Sequence, residues 1–481
     1  MDDRKLAFFT AIEDQGGVIV KETPKFDLDL YIQNYKGRTR FERLFHVGRS
    51  SVPLCVDALK AAVQEAKAGS DILRYQMAVN SLFQAAPNEP EASLDKAWME
   101  SKEKENRDTT AHLQAELQGY KNNLIKESIR MGNEDLGKHF EAIGDVEAAM
   151  DSFWKMRTDV SSTEQLVDLG KLLVRVAIER RDWKSIGNHL KPLNSVNDSD
   201  PKAKALKTYS KIAHGIAALG QERYKEAAFC FVEASSGVPP EIYNQIASPN
   251  DVAIYGGLLA LATMDRHELQ ANLLDNDSFR EFLQREPHIR RAITQFVNGR
   301  YAACIEILES YRPDYLLDIY LQKHVPKLYA DIRTKSIVQY LKPFSCVRLD
   351  TMQKAFNGPG PSIEDELFTM IEDGKLNARI DAINKVRYYL PLFLQRSAFF
   401  FMLTRLLRTT TKSITPISTD SRQQMQSKAL QTLENYEKQA LDRIRRMNIM
   451  AADLEVKGSR KPGGMNDISF SMTTDDTASL A

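Results

Sequence analysis

The chain has 481 residues, with 65 lysines plus arginines against 65 aspartates plus glutamates, so its formal net charge is zero. That balance gives no footing to a polyanion or nucleic-acid binder, and the length allows two or three domains with real cores. Cys55, Cys230, Cys304 and Cys346 stand far apart with no C-x-x-C pair, and Met1-Asp-Asp-Arg-Lys-Leu6 has no signal-peptide layout, which together read as a nuclear and cytoplasmic protein with reduced thiols.

Residues 1–25, with Gly16-Gly17 and little periodicity, read as a flexible N-terminus. An N-terminal helical segment, 26–110, follows. In it Arg38, Arg40 and Arg43 interleave with Phe41, Leu44 and Phe45, which puts an apolar stripe beside a basic edge on one helix. That edge is read as a docking surface, with a solvated helix face as an equal alternative. The charge run Lys102 to Arg107 then reads as a solvated bridge.

Over 111–312 a pattern repeats. Gly144-Asp145, Arg181-Asp182-Trp183, Glu222-Arg223-Tyr224, Asp265-Arg266 and Gly299-Arg300-Tyr301 sit between apolar helical stretches at intervals of about 34 to 43 residues. Each unit predicts a helix, a tight turn and a second helix. Ala149, Ala227 and Ala228 allow close approach, and aromatics such as Phe153, Trp154, Trp183 and Phe231 fill the spaces. Stacked, such units form a solenoid whose free surface suits extended partners.

Residues 313–388 change character. A helix through Ser336 to Leu341 stops at Pro343, a strand is expected over Ser345 to Leu349, and a short helix over Thr351 to Phe356. A helix capped by Ser362 carries Leu367, Met370 and Ile371 inward. Leu376 to Asp381 alternates as a strand, and Val386 to Tyr388 is expected to pair back on it. Helix, strand, helix, helix, strand, strand is the order of a winged helix. Its third helix carries Glu364, Asp365, Glu366, Glu372 and Asp373, the wrong sign for phosphate contact, so a nucleic-acid-binding winged helix is set behind a protein-docking module.

No two of the eight histidines stand at metal-ligand spacing, and no nucleophile motif occurs. Gly132 to Lys138 approaches a phosphate loop but has His139 in place of Ser/Thr, acids at Glu134 and Asp135, and a helical context. No catalytic, cofactor or metal residue is assigned.

Residues 389–421 are set apart as an atypical insertion. The stretch from Tyr388 to Leu407 is apolar, but Pro391, Gln395, Arg396 and Arg405 interrupt it, and arginines at its centre are costly in lipid, so it is not read as a membrane span. It has the look of a translated intron. Over 422–457 one long helix carries Leu433, Ala440, Ile444, Met447 and Leu454 at alternating three-and-four spacing, a bundle seam broken at Glu437. The Ser/Thr/Asp-rich tail, 458–481, is expected to be disordered.

Helical repeats leading into Pro343 to Leu349, Met352 to Phe356, Glu364 to Leu367 and Gly374 to Asp381 resemble a PCI domain, the module shared by the proteasome lid, the signalosome and a translation initiation factor. The block from Leu30 to Leu44 narrows the resemblance to the first-subunit family of the constitutive photomorphogenesis signalosome, with the paralogous subunit of the 26S proteasome lid as the rival. The resemblance implies an all-α protein: a TPR-like helical repeat solenoid, a winged-helix PCI subdomain and a long C-terminal helix. It implies a non-catalytic scaffold in a complex that removes Nedd8 from the cullin subunits of ubiquitin ligases, the isopeptidase being an MPN metalloprotease subunit. The implied partners are other PCI and MPN subunits and, through the complex, cullin-RING ligases, with no nucleic acid and no membrane. Val347, Leu349, Leu376, Ala378, Ile380 and Val386 would form the sheet joined to a neighbour, and the C-terminal helices would meet in a bundle.

Overall fold

Helix pairs repeat along this chain because one turn device repeats. In a computed structural model describing residues 3–194, 201–344, 347–356, 363–381, 413–416 and 421–451, four pairs close alike: Lys126–Ile143 with Val146–Met156, Thr163–Glu179 with Trp183–His189, Pro201–Gly220 with Tyr224–Val232, and Pro287–Val297 with Tyr301–Leu316. Each turn holds one left-handed residue: Gly144 (φ 101°), Arg181 (62°), Glu222 (60°) and Gly299 (76°). In each, the next amide reaches back five residues, Asp145 to the Phe140 carbonyl at 3.0 Å and Arg223 to that of Ala218 at 2.9 Å, a Schellman closure that satisfies the helix end. Left-handed backbone costs an L-residue about 1–2 kcal/mol. The two non-glycine residues each have a compensating contact, Arg181 over the Trp183 and Tyr320 rings and Glu222 with Lys327 at 2.6 Å. The Asp265 turn differs: Met264 is extended, and a capping box of Asp265 and Glu268 starts the next helix.

The chain forms two compact units, one up to Pro416 and one from Ile417 onward. In the first, one apolar core runs from Ala149 through the repeats into Val347, Leu367 and Ala378. Trp154 is the exception among the interleaved aromatics and lies on the surface. A second core belongs to the N-terminal segment, built from Cys55–Ala68 and Ile72–Ala85. The flexible start is corrected here: Asp3–Asp14 is a helix that buries Phe8, Phe9 and Ile12 in that core, and Val20 bridges to Ser51. The charge run lies in an exposed helix, Lys96–Asn122, with Lys102–Glu105 and Arg107–Glu103 pairs on its surface.

The winged helix follows Val325–Leu341: β1 (Val347–Arg348), helices Leu349–Ala355 and Ile363–Glu372, β2 (Ala378–Asp381), then β3 (Ser413–Pro416). The sheet is antiparallel in the order β1-β3-β2, with Val347 and Ile380 both opposite Ile414 and Asp381 opposite Ser413. Two expectations change. The partner of the Leu376–Asp381 region is β3, which lies inside the stretch set apart as an insertion; Val386 to Tyr388 falls outside the described residues. Leu349 begins a helix instead of ending a strand, and the hydroxyl of Thr351 donates to the Arg348 carbonyl at that turn.

Candidate assembly surfaces and a buried arginine latch

The helix Arg38–Ser50 turns Phe41, Leu44 and Val47 inward, and Arg43 falls on the same face. Arg43 is 0% exposed. One guanidinium nitrogen donates to Asp318 at 2.8 Å and to the Tyr31 hydroxyl at 2.6 Å, and the other donates to Asp251 at 2.9 Å. Tyr35 donates to both oxygens of Asp251 at 2.8 and 2.9 Å, and Tyr255 donates to Asp318 at 2.7 Å. Local structure aims both acids. Asp251 is the third residue of Pro249–Thr263, in a capping box with Ser248, and Asp318 accepts the amides of Tyr320 and Leu321.

The two carboxyls are not equivalent. Burial pushes Asp251 up to about 6 against the pull of Arg43, whereas for Asp318 the same burial is outweighed by Arg43, the Tyr255 hydroxyl and the Leu321 amide, which hold it below the usual value. For Arg43 the neighbouring acid and tyrosines outweigh desolvation, and its charge is secure.

Arg38 sits in a second, shallower cluster. It reaches Asp71 at 2.8 Å, the Glu141 carbonyl at 2.7 Å and Glu179, while Arg74 joins Glu42 and Glu179, each at 2.8 Å. The expectation of a docking edge at Arg38, Arg40 and Arg43 is therefore corrected. Arg38 and Arg43 latch the N-terminal segment to the repeats, and Arg40, 3.3 Å from Glu65 and partly exposed, makes a surface pair. Surface of the repeats that the sequence left open for an extended partner is occupied by the chain's own segment. Asp251, Asp318, Tyr35 and Tyr255 were missed in the sequence; the available signal was an arginine seated within an apolar stripe.

The predicted sheet residues are placed as follows. Val347, Leu349, Leu376 and Ala378 are buried in the chain's own core, Ile380 is half-buried against it, and Val386 is outside the described residues. Their side chains hold the winged helix together. Among the described residues, the outer edges of β1 and β2 each have one strand neighbour. The acidic third helix pairs Glu366 with Arg333 at 2.9 Å.

In the second unit, Ser421–Ala451 is one helix of 31 residues. Leu433, Ile444 and Met447 are 65%, 52% and 66% exposed, Ala440 is half-buried, and Leu454 lies outside the described residues. Leu430, also exposed, adds one step to the stripe that the sequence reading lacked. Among the described residues no helix is long and apolar enough to cross a membrane, and no group of three His, Cys, Asp or Glu could hold a metal ion. Gly132 to Lys138 lies inside a continuous helix.

Comparison with known proteins settles the family. A protein from Neurospora crassa named COP9 signalosome complex subunit 1 is 87% identical over 481 residues, covering all of both chains. The chain belongs to the COP9 signalosome subunit 1 family. A member of that family from Arabidopsis thaliana is 34% identical over 372 residues, 75% of this chain and 82% of its own length. The proteasome rival is a more distant paralogue: the 26S proteasome non-ATPase regulatory subunit 6 of Oryza sativa subsp. japonica is 25% identical over 297 residues, 57% of this chain and 73% of its own. A family model described as 26S proteasome subunit RPN7 matches residues 95–272, and a PCI domain model matches 308–388. The PCI match starts near the end of the last helix pair and covers β1 and β2.

Proposed function

We propose that this member of the family is a non-catalytic scaffold, joined to neighbouring PCI subunits through the edges of its winged-helix sheet and to a subunit bundle through its C-terminal helix. The observation that carries the reading is the apolar stripe of Ser421–Ala451, exposed along a helix that has no reason to keep it in water unless partners cover it. The sheet edges fit the same role, since unpaired strand backbone is a template for another chain. In this reading the complex removes Nedd8 from cullins, and an MPN metalloprotease subunit supplies the isopeptidase. The complex works on cullin-RING ligases in nucleus and cytoplasm.

A pull-down of the tagged chain tests this, with co-purifying subunits identified by mass spectrometry and the eluate assayed for cullin deneddylation. Recovery of an MPN subunit with activity, and loss of both in Ile444→Asp with Met447→Asp, is the expected result. Recovery of proteasome ATPases and ubiquitin receptors in their place overturns it. Fractionation of the tagged strain checks the compartments.

A further inference from the structure

A cleft of about 300 Å³ lies between the stretch from Lys25 to Asn34 and the repeats, next to the Arg43 latch but open to solvent. Its walls combine two chemistries. Tyr31, Tyr311 and Phe26 supply aromatic surface, and Asp27, Glu286 and Asp314 supply carboxylates, with Asp251 and Asp318 behind them. The negative side is short of counter-charge. Asp314 accepts the Lys25 amide at 2.9 Å; Lys25 and His288 lie near enough to pull on its carboxylate, but among the described residues neither forms an ion pair with it. Among the described residues, Glu286 faces His288 at 3.3 Å and the Asn250 amide at 2.8 Å. Arg43 is engaged by Asp251 and Asp318 and turned away into the core. Burial accordingly pushes Asp314 up from the usual carboxylate value.

The chain itself shows that the cleft accepts a cation. The ammonium of Lys25 rests 3.9 Å from the centre of the Tyr311 ring at the mouth, the arrangement in which a ring face attracts positive charge. Glu286, Asp314 and the Tyr31 ring line the same cleft. We propose that the cleft between Lys25–Asn34 and the Asp314 wall is a binding site for one basic side chain, an arginine or lysine presented by another protein. Planar guanidinium fits best, since it can donate to two carboxylates while its face lies on a ring.

The test uses the full chain and two fluorescein-labelled peptides, one with a single arginine flanked by glycines and one with citrulline at the same place, which keeps the shape and removes the charge. Fluorescence anisotropy should give saturable binding of the arginine peptide and at least about tenfold weaker binding of the citrulline peptide. Asp314→Asn and Glu286→Gln should each weaken the arginine peptide about tenfold, while Asp277→Asn, an exposed acid outside the cleft, leaves it unchanged. Thermal unfolding of each variant confirms that it is folded. The proposal is overturned if arginine and citrulline bind alike, if neither saturates, or if Asp277→Asn weakens binding as much as Asp314→Asn, which would mean diffuse attraction to an acidic surface.

Discussion

Replacing Arg43 with methionine keeps most of the side-chain volume and removes the one charge that two buried carboxylates share. The latch has Asp251 and Asp318 with little exposure, plus three tyrosine hydroxyls oriented by the ion pairs. Breaking a buried pair by deleting one partner costs about 3–5 kcal/mol, because the other charge stays in low dielectric without compensation. That is a fifth or more of the roughly 5–15 kcal/mol that holds a domain folded. Arg40→Met is the control, since its pair with Glu65 is partly exposed and such pairs contribute about 0–1 kcal/mol. Urea unfolding followed by circular dichroism should move the Arg43→Met midpoint far below that of Arg40→Met. Limited trypsin digestion should then cut first between Lys21 and Arg49, where the segment has come off the repeats. A triple variant, Arg43→Met with Asp251→Asn and Asp318→Asn, leaves no orphan charge and should recover part of the loss. Equal midpoints for the two single variants would show that the charge does not hold the segment. A triple variant as unstable as the single one would assign the loss to packing.

Two turn glycines separate backbone strain from crowding. A Cβ on Gly299, at φ 76°, meets nothing, so Gly299→Ala should cost only the left-handed penalty of about 1 kcal/mol. A Cβ on Gly144 adds a clash with the Asp71 carboxylate that Arg38 holds, so Gly144→Ala should be clearly worse in the same unfolding assay. Similar losses would mean that Asp71 moves freely. The latch also sets a pH response. Asp251 has a folded value near 6, above the roughly 3.9 of an unfolded aspartate, so the folded chain binds a proton that the unfolded chain releases and stability falls as pH rises from about 4 to 6. Asp318 is shifted the other way, and its contribution is present above the unfolded value and lost as pH falls through its lower folded one. Melting temperatures of the wild type relative to Asp251→Asn should therefore decline across pH 4 to 6, and a flat or rising difference would contradict the assignment.

What was legible in the sequence was local. The five turn positions of the repeats, the order of the winged-helix elements as far as β2, and the long last helix each rest on residues within about a dozen positions of one another, and periodicity reports such neighbours. The Arg43 partners lie 208 and 275 residues away, and no spacing rule connects them. The start of the chain was misjudged because a short helix with three inward residues, Phe8, Phe9 and Ile12, gives too little periodicity beside a glycine pair. β3 was missed for a different reason. A hairpin was expected to close within a few residues of Asp381, yet Asp381 pairs with Ser413, with 31 residues between the two in sequence. The alignment with the Neurospora relative runs across that stretch as well.

The arginine at 43 shows why composition on a helix face does not decide between binding a partner and binding oneself. Arg38, Arg40 and Arg43 lie within six positions on one helix, and the sequence treats them alike. Their fates differ with the acid supply that folding brings to each. Arg43, fully buried, meets two buried aspartates whose orientation is fixed by a capping box and a pair of loop amides, Arg38, itself 19% exposed, meets Asp71 and Glu179, and Arg40 meets one surface glutamate. Each acid comes from a different helix or turn, so the latch exists only once the repeats have stacked. An arginine among inward-facing aromatics must find such acids, since burying a guanidinium unpaired is too costly to tolerate. When the chain supplies them itself, the basic edge becomes an internal joint.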